Sequence, residues 1–411
     1  MLCSFLIQVA AIGILHEYRT RPGNDHFGFA WEMGKIAQSI TLGHGFSSPY
    51  GGSTGPSAWE PPLYPYALAA AFKLFGIYST LAAWVLLSLN CLFSVLTCIP
   101  IFLIGQKLFS HRVGLWSAWI WAFLPYEWYW SIHWIWDTTF SPLLLACIVL
   151  LALELQDRDA WKLWSAFGLL WSVIALSNPS LLSFLPFSGL WIWRRRWLQH
   201  KKSLRGVALA SLIFCVCIAP WLARNYSVFG KFVFIRADFG YQLRLGNSPG
   251  ANGSWMAYLQ PNLNPQELEQ FKQLGELAYA ARCKRIAYAW ISSHPAQFAE
   301  NSLKKIFYYW AGVPKAIDNN FFFDFQDSFL LAWSVLAVWG LARTLKKQLP
   351  GAWLLLWLVL SYPAIYYVVY PHARYRHPIE PELLILTVFL ISEARGKRNF
   401  HGPEPSVTPS S

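Results

Sequence analysis

Residues 81–105 read LAAWVLLSLNCLFSVLTCIPIFLIG, 25 positions without one Asp, Glu, Lys or Arg. A membrane-spanning helix needs about 20 mostly apolar residues, because the bilayer core offers no water to an open backbone. This run meets that need outright. Nine further apolar runs follow the same logic: 2–15, 113–125, 138–153, 163–177, 180–193, 206–222, 328–342, 352–369 and 381–392. Several are short by the length criterion, but together they predict an all-α integral membrane protein, a polytopic helical bundle of about ten transmembrane helices. The first run lacks a basic n-region and a clear small-residue cleavage site, so it is expected to be a span and not a removable signal peptide.

Composition supports this class. Of 411 residues, 55% are hydrophobic and 13% are charged, against about 25% charged in a typical soluble domain. An ordinary soluble enzyme and a disordered chain are both excluded. The net charge of +12 would suggest nucleic acid on a soluble protein. Here the short loops explain it. Lys107 and Arg112, Arg158 and Lys162, Arg194 to Arg205, Arg343 to Lys347, and Arg395 to Arg398 fall in one set of loops, whereas 126–137 and 178–179 carry no Lys or Arg. Cytoplasmic loops hold the excess of basic residues, so ten spans place both termini in the cytoplasm of a plasma (inner) membrane. Two long segments, 16–80 and 223–327, then lie on the extracytoplasmic side. Residues 1–395 form one polytopic domain, and the Pro- and Ser-rich tail 396–411 is expected to be disordered.

Within 223–327, Asn264-Pro265 predicts a helix N-cap with proline at the first helical position. The helix is expected to run to about Ser293 and stop before His294-Pro295. A second helix is expected over 296–310, with Lys304 and Lys305 on its surface. Six of the seven cysteines lie in apolar runs and read as small core residues; no CxxC or zinc-type spacing occurs.

The first outer segment holds the densest polar signal. Residues 27–46, FGFAWEMGKIAQSITLGHGF, place Phe29, Met33, Ile36, Ala37 and Ile40 at helical spacing. That predicts an amphipathic helix on the outer membrane surface, ended by Gly43 and Gly45. Asp25, Glu32 and Glu60 are three carboxylates of this segment. Each can serve as a general base towards a hydroxyl or hold a divalent cation through oxygen. Each can equally be a solvated acid paired with Arg19, Arg21 or Lys35. Asp137, at the mouth of the span 138–153, is either a functional acid or a helix N-cap. Arg224 closes the span 206–222 as a phosphate clamp or as an interfacial arginine, and Arg244 adds a second basic side chain nearby. The last outer loop, Tyr370 to Pro381, gathers His372, Arg374, Arg376 and His377 where topology would place few cations. That departure asks for an anion, and phosphate is the natural one.

A Walker loop, a GxGxxG in strand–helix context, a GxSxG elbow and HExxH are absent, so nucleotide-driven chemistry has no support. The apolar runs carry almost no ionisable residues, unlike ion-coupled transporters.

LGHGF (42–46), EPPLYPYALAAAFKLFG (60–76), APWLARNYSVFGKFVFIRADFGYQLRLGN (219–247) and ARYRHPIEPELLIL (373–386), in this order and on one membrane side, resemble the GT-C superfamily of glycosyltransferases that use polyprenyl-phosphate sugars. The likeness is to family 39 proteins, related to dolichyl-phosphate-mannose–protein mannosyltransferases and the aminoarabinose transferase of lipid A. The resemblance implies a membrane glycosyltransferase with an extracytoplasmic active site. Its donor would be a polyprenyl-phosphate sugar and its acceptor a lipid, glycan or protein. It also implies an inverting displacement, with a loop carboxylate as base. The family's acid position falls near Phe29 here, so Asp25, one turn earlier, or Glu32, one turn later, is expected to take the role. Arg224, Arg374 and Arg376, helped by His372 or His377, would stabilise the leaving phosphate. His26, Glu60, Tyr64 and Asp137 complete the expected substrate site. Two other readings remain open: a polymerase or ligase using lipid-diphosphate oligosaccharides, and a lipid-linked sugar flippase or other transporter.

Overall fold

The computed structural model describes residues 1–20, 28–313, 315–317, 320–322 and 325–398. Asp25 and His26 lie outside the described residues, as does most of the tail.

The chain is almost wholly helical. In order, the helices are α1 (Leu2–Ile14), α2 (Glu32–Thr41), α3 (Leu63–Phe75), α4 (Thr80–Leu96), α5 (Cys98–Leu108), α6 (His111–Phe123) and α7 (Pro125–His133). Then come α8 (Phe140–Leu155), α9 (Trp161–Ser177), α10 (Leu185–Leu198), α11 (Leu204–Phe229), α12 (Phe239–Gly246), α13 (Pro265–Leu274) and α14 (Glu276–Ser293). The chain closes with α15 (Pro295–Ala311), α16 (Phe325–Lys346), α17 (Ala352–Ser361), α18 (Ala364–Val368), α19 (Ala373–Arg376) and α20 (Glu380–Arg398). One short antiparallel hairpin pairs Lys315–Ile317 with Asn320–Phe322.

Among the described residues, three stretches are long and apolar enough to cross a membrane: Thr80–Leu108, Leu204–Phe229 and Ser328–Lys346. Every other apolar run read from the sequence also falls on helix, although those helices are shorter. Helices meet where side chains are small, as packing in lipid favours. A Cβ on Gly105 of α5 would lie 2.7 Å from Cα of Gly114 in α6, and one on Gly168 of α9 would lie 2.3 Å from the Ala210 carbonyl of α11.

The two long segments between apolar runs depart from expectation in three places. The helix over 27–46 is shorter, with α2 covering 32–41, and Phe29, Met33, Ile36 and Ala37 are buried within the protein, where α2 packs on α3. The amphipathic face is therefore spent on protein contacts. The helix from Asn264 is capped as foreseen, Asn264 Oδ1 accepting from the amides of Gln266 and Glu267. It is then broken at Gly275, whose φ of 75° ends α13 and starts α14. Lys305 is not on the surface. It is fully buried, and its Nζ donates to Asn247 Oδ1 (2.8 Å) and the Val368 carbonyl (3.0 Å). Lysine's charge is costly there, and burial pushes its pKa down to about 7.

Candidate active site

Loop 1, between α2 and α3, is held from two sides. Arg224 near the C-terminal end of α11 donates through Nη1 to the Ser57 carbonyl (2.6 Å) and through Nη2 to the Phe46 carbonyl (2.8 Å). From the start of α14, Glu276 accepts from Ser57 Oγ and the Ala58 amide, both at 2.6 Å. The guanidinium expected to clamp a phosphate thus holds the loop that frames the site. Replacing Arg224 with Ala leaves two carbonyls short of a charged donor. It is expected to cost about 2 kcal/mol of stability, read as a lower melting temperature in detergent with donor affinity preserved. An unchanged melting temperature with lost donor affinity would return Arg224 to the phosphate.

Framed this way, loop 1, the α7–α8 junction, the segment before α12 and the α18–α19 loop enclose a cavity of about 370 Å³, within the range of small-ligand sites. Glu32, Glu60, Asp137 and Asp238 line it, as do Arg236, His372 and Arg374. The remaining wall is largely aromatic and includes Trp31, Trp134, Trp136, Tyr370 and Tyr375.

Glu32 enters the cavity from an unusual backbone. Phe29, Ala30 and Trp31 have φ of 61°, 55° and 40°, a region that non-glycine residues rarely occupy in succession. This kink sets Glu32 at the first turn of α2. Gly34 is needed for it, because a Cβ there would lie 2.3 Å from the Phe29 carbonyl. Burial raises the Glu32 pKa, and Arg374 and Arg236 partly oppose the rise. Burial likewise moves Asp137 up to about 6 and Glu60 up to about 8, Arg236 opposing the shift in Glu60. Asp137 does not cap α8, whose N-cap residue is Thr139.

Arg236 and Asp238 are the polar residues that motif reading passed over. Arg236 Nη2 donates to Asp238 Oδ2 (2.6 Å) and Glu60 Oε1 (3.2 Å), while its Nε reaches the Trp59 carbonyl (3.0 Å). Gln242 Nε2 donates to Asp238 Oδ2 (2.7 Å), Tyr370 OH to Gln242 Oε1 (2.6 Å), and Arg374 Nη2 to Tyr375 OH (3.3 Å). The two tyrosine hydroxyls lie 3.1 Å apart. A continuous polar chain therefore runs from Glu60 to Arg374. The Ile235-Arg236-Ala237-Asp238 spacing held the signal, since alternate residues of an extended segment share one face.

Arg374 lies over Trp136, 4.2 Å from the ring centroid, and its buried Nε has no hydrogen-bond partner among the described residues. A half-buried guanidinium with a buried, unmet Nε, facing an aromatic cavity, suits an oxyanion.

The neighbouring cations expected beside it go elsewhere. Arg376 is buried between α15 and α16, its Nη1 donating to Ser334 Oγ and to the Trp310 and Leu330 carbonyls, its Nε pairing with Glu380. His377 is buried against Glu127 and the Thr138 carbonyl. The two arginines stand two positions apart on the α19 turn, on opposite faces, so Arg374 meets the cavity while Arg376 enters the packing of α15 and α16. Arg244 forms a two-bond pair with Glu267 (2.6 and 2.7 Å) that joins α12 to α13. Tyr64 is buried and does not line the cavity. Glu32, Glu60, Asp137, His372 and Arg374 are thus brought together, and Arg224, Arg376, His377 and Tyr64 are not. Among the described residues, no group of three His, Cys, Asp or Glu is placed to hold a metal ion.

The model of the dolichyl-phosphate-mannose-protein mannosyltransferase family matches residues 59–223. The resemblance to glycosyltransferases holds. The match covers the end of loop 1, including Glu60, and Asp137. The fold is similar to that of the Archaeoglobus fulgidus oligosaccharyltransferase, solved in complex with Zn and sulfate, at a TM-score of 0.51 and 15% identity over 97% of this chain and 50% of that one. It is also similar to ArnT from Cupriavidus metallidurans bound to undecaprenyl phosphate, at a TM-score of 0.44 and 12% identity over 97% of this chain and 79% of that one. At these identities the likeness is one of fold. The chain spans about half the length of the archaeal enzyme. Among curated proteins the sequence has no significant match.

Proposed function

We propose that this chain is a membrane glycosyltransferase that moves a sugar from a polyprenyl-phosphate donor to an acceptor hydroxyl on the extracytoplasmic side of the inner membrane. In this reading the ten apolar helical runs span the bilayer, and both termini are cytoplasmic. The observation that carries the reading is the convergence of Glu32 and Arg374 on one aromatic cavity. Glu32 takes the acceptor proton, the freed oxygen attacks the anomeric carbon, and the bond to the lipid phosphate breaks. Arg374, with His372 beside it, receives the charge that develops on the leaving phosphate. The sugar inverts, and the lipid phosphate departs along the membrane. The segment containing Asp25 adjoins this cavity in sequence, and Asp25 is the alternative base. A divalent cation at the loop acids is a further proposal, tested by chelation followed by readdition of Mg²⁺ or Mn²⁺.

Purified protein in nanodiscs, given matched monophosphate and diphosphate donors, tests the donor class. Transfer from the monophosphate alone is expected; transfer from the diphosphate alone would favour the polymerase or ligase reading. The pH profile tests the base. A base must be unprotonated, and burial raises the Glu32 pKa, so the rate is expected to climb with pH through a midpoint above the ordinary glutamate value of about 4.3. A midpoint at or below that value would remove Glu32 from the role.

A further inference from the structure

At the opposite end of the bundle from the catalytic cavity, α9, α10 and α11 enclose a second groove, of about 870 Å³. Its walls are Trp161, Trp193, Trp197, Leu204 and Leu209, and its rim carries His200, Lys201, Lys202 and Arg205. Trp161, Trp197 and Leu204 are strongly exposed, at 68%, 63% and 82%. Trp193 and Trp197 lie parallel one turn apart, with ring centroids 6.4 Å from each other. Such rings collect at the membrane–water boundary.

The groove is built, and its charge has one sign. Arg196, 1% exposed, ties its loops together: Nη1 donates to the Leu155 carbonyl and Nη2 to the Lys202 carbonyl and to Asp159 Oδ2. Asp159 is the one acid in the lining, and it is spent on Arg196 (2.9 Å) and on the Trp164 indole N–H (2.9 Å). Trp164 forms the floor, wedged against Gly206, where a Cβ would lie 2.2 Å from the indole. Lys201 Nζ reaches the Asp157 carbonyl. The side chains of Lys202 and Arg205 make no hydrogen bond or ion pair among the described residues.

We propose that this groove binds the headgroup of an anionic phospholipid of the bilayer, with the phosphodiester on Lys202 and Arg205 and an acyl chain along Trp193, Trp197 and Leu209. The lining matches a lipid, since it combines cations free of side-chain partners, Lys202 and Arg205, with exposed aromatic and aliphatic side chains. The proposal rests on the membrane placement of the helices and not on the reaction, so its readout is binding alone.

The test is retention of phosphatidylglycerol against phosphatidylcholine by purified full-length protein, followed by native mass spectrometry and by titration in mixed micelles. Wild-type protein is expected to hold phosphatidylglycerol preferentially, and Lys202→Gln with Arg205→Gln to weaken it roughly 25-fold, about fivefold per cation. The charge-keeping pair Lys202→Arg and Arg205→Lys is expected to retain the preference and guards against a folding defect in the Gln pair. Equal retention of both lipids by wild-type protein, or an unchanged preference in the Gln pair, would overturn the proposal. So would release of the lipid by millimolar inorganic phosphate, or tighter binding of polyprenyl phosphate, since these assign the groove to a soluble anion or to the donor.

Discussion

Glu32→Gln is expected to lower sugar transfer by about 10²- to 10⁴-fold, the usual contribution of a positioned general base, while leaving donor binding nearly intact. Gln keeps the size and much of the hydrogen bonding of Glu but cannot take a proton. If Glu32 is the base towards the acceptor hydroxyl, the loss belongs in kcat and not in the affinity for lipid phosphate. Glu32 is buried at the first turn of α2, set there by three successive residues of positive φ, so Glu32→Asp, which withdraws the carboxylate by one methylene, is expected to recover only part of the rate. Parallel Asp25→Asn and Asp137→Asn variants locate the base. Full loss in Asp25→Asn with an unaffected Glu32→Gln would move the role to Asp25, and the same pattern in Asp137→Asn would move it to the α7–α8 junction.

Arg374→Ala is expected to be the second severe change, lowering kcat/KM by about 10²- to 10³-fold, the scale for loss of one charge-stabilising donor in a preorganised site. Arg374 stands over Trp136 and beside Tyr375, with a buried Nε that meets no partner among the described residues. In the proposed reaction, unlike Glu32, it contacts the donor before and during bond breaking, so both donor affinity and kcat should fall. Lys at this position keeps the charge but loses the planar fork and its stacking, and is expected to restore a minor part of the activity. Arg376→Lys provides the contrast. That guanidinium holds the Trp310 and Leu330 carbonyls and Glu380, so the substitution should lower stability with little specific effect on donor affinity. A donor-affinity loss in Arg376→Lys equal to that in Arg374→Ala would mean that the inner arginine also meets the phosphate.

Hydropathy placed the helices well because lipid imposes a simple rule on the backbone, and the runs at 81–105 and 206–222 obeyed it fully. Segments outside that rule were harder to read. The apolar face of α2 signalled burial, but periodicity does not say whether lipid or protein covers it, and α3 does. Gly275 broke a helix that its cap had started, since one residue of positive φ outweighs good local propensity. At the site, residue type and membrane side singled out Glu32, Glu60, Asp137, His372 and Arg374. They could not separate Arg374 from Arg376, two residues apart, because orientation depends on the α19 turn. Nor could they show that Arg224 would be taken up by the Ser57 and Phe46 carbonyls, which are distant in sequence. Arg236 and Asp238 were missed for a related reason: their meaning lies in the partners Glu60 and Gln242, which only the fold supplies.

The most direct measurement is a cryo-EM structure of the full-length protein in nanodiscs with a polyprenyl phosphate bound. The account predicts the phosphate within hydrogen-bond distance of Arg374, in the cavity lined by Glu32, Asp137 and Trp136. A phosphate seated on Arg224, on Arg376 or in the groove of α9, α10 and α11, with the Arg374 cavity vacant, would contradict it.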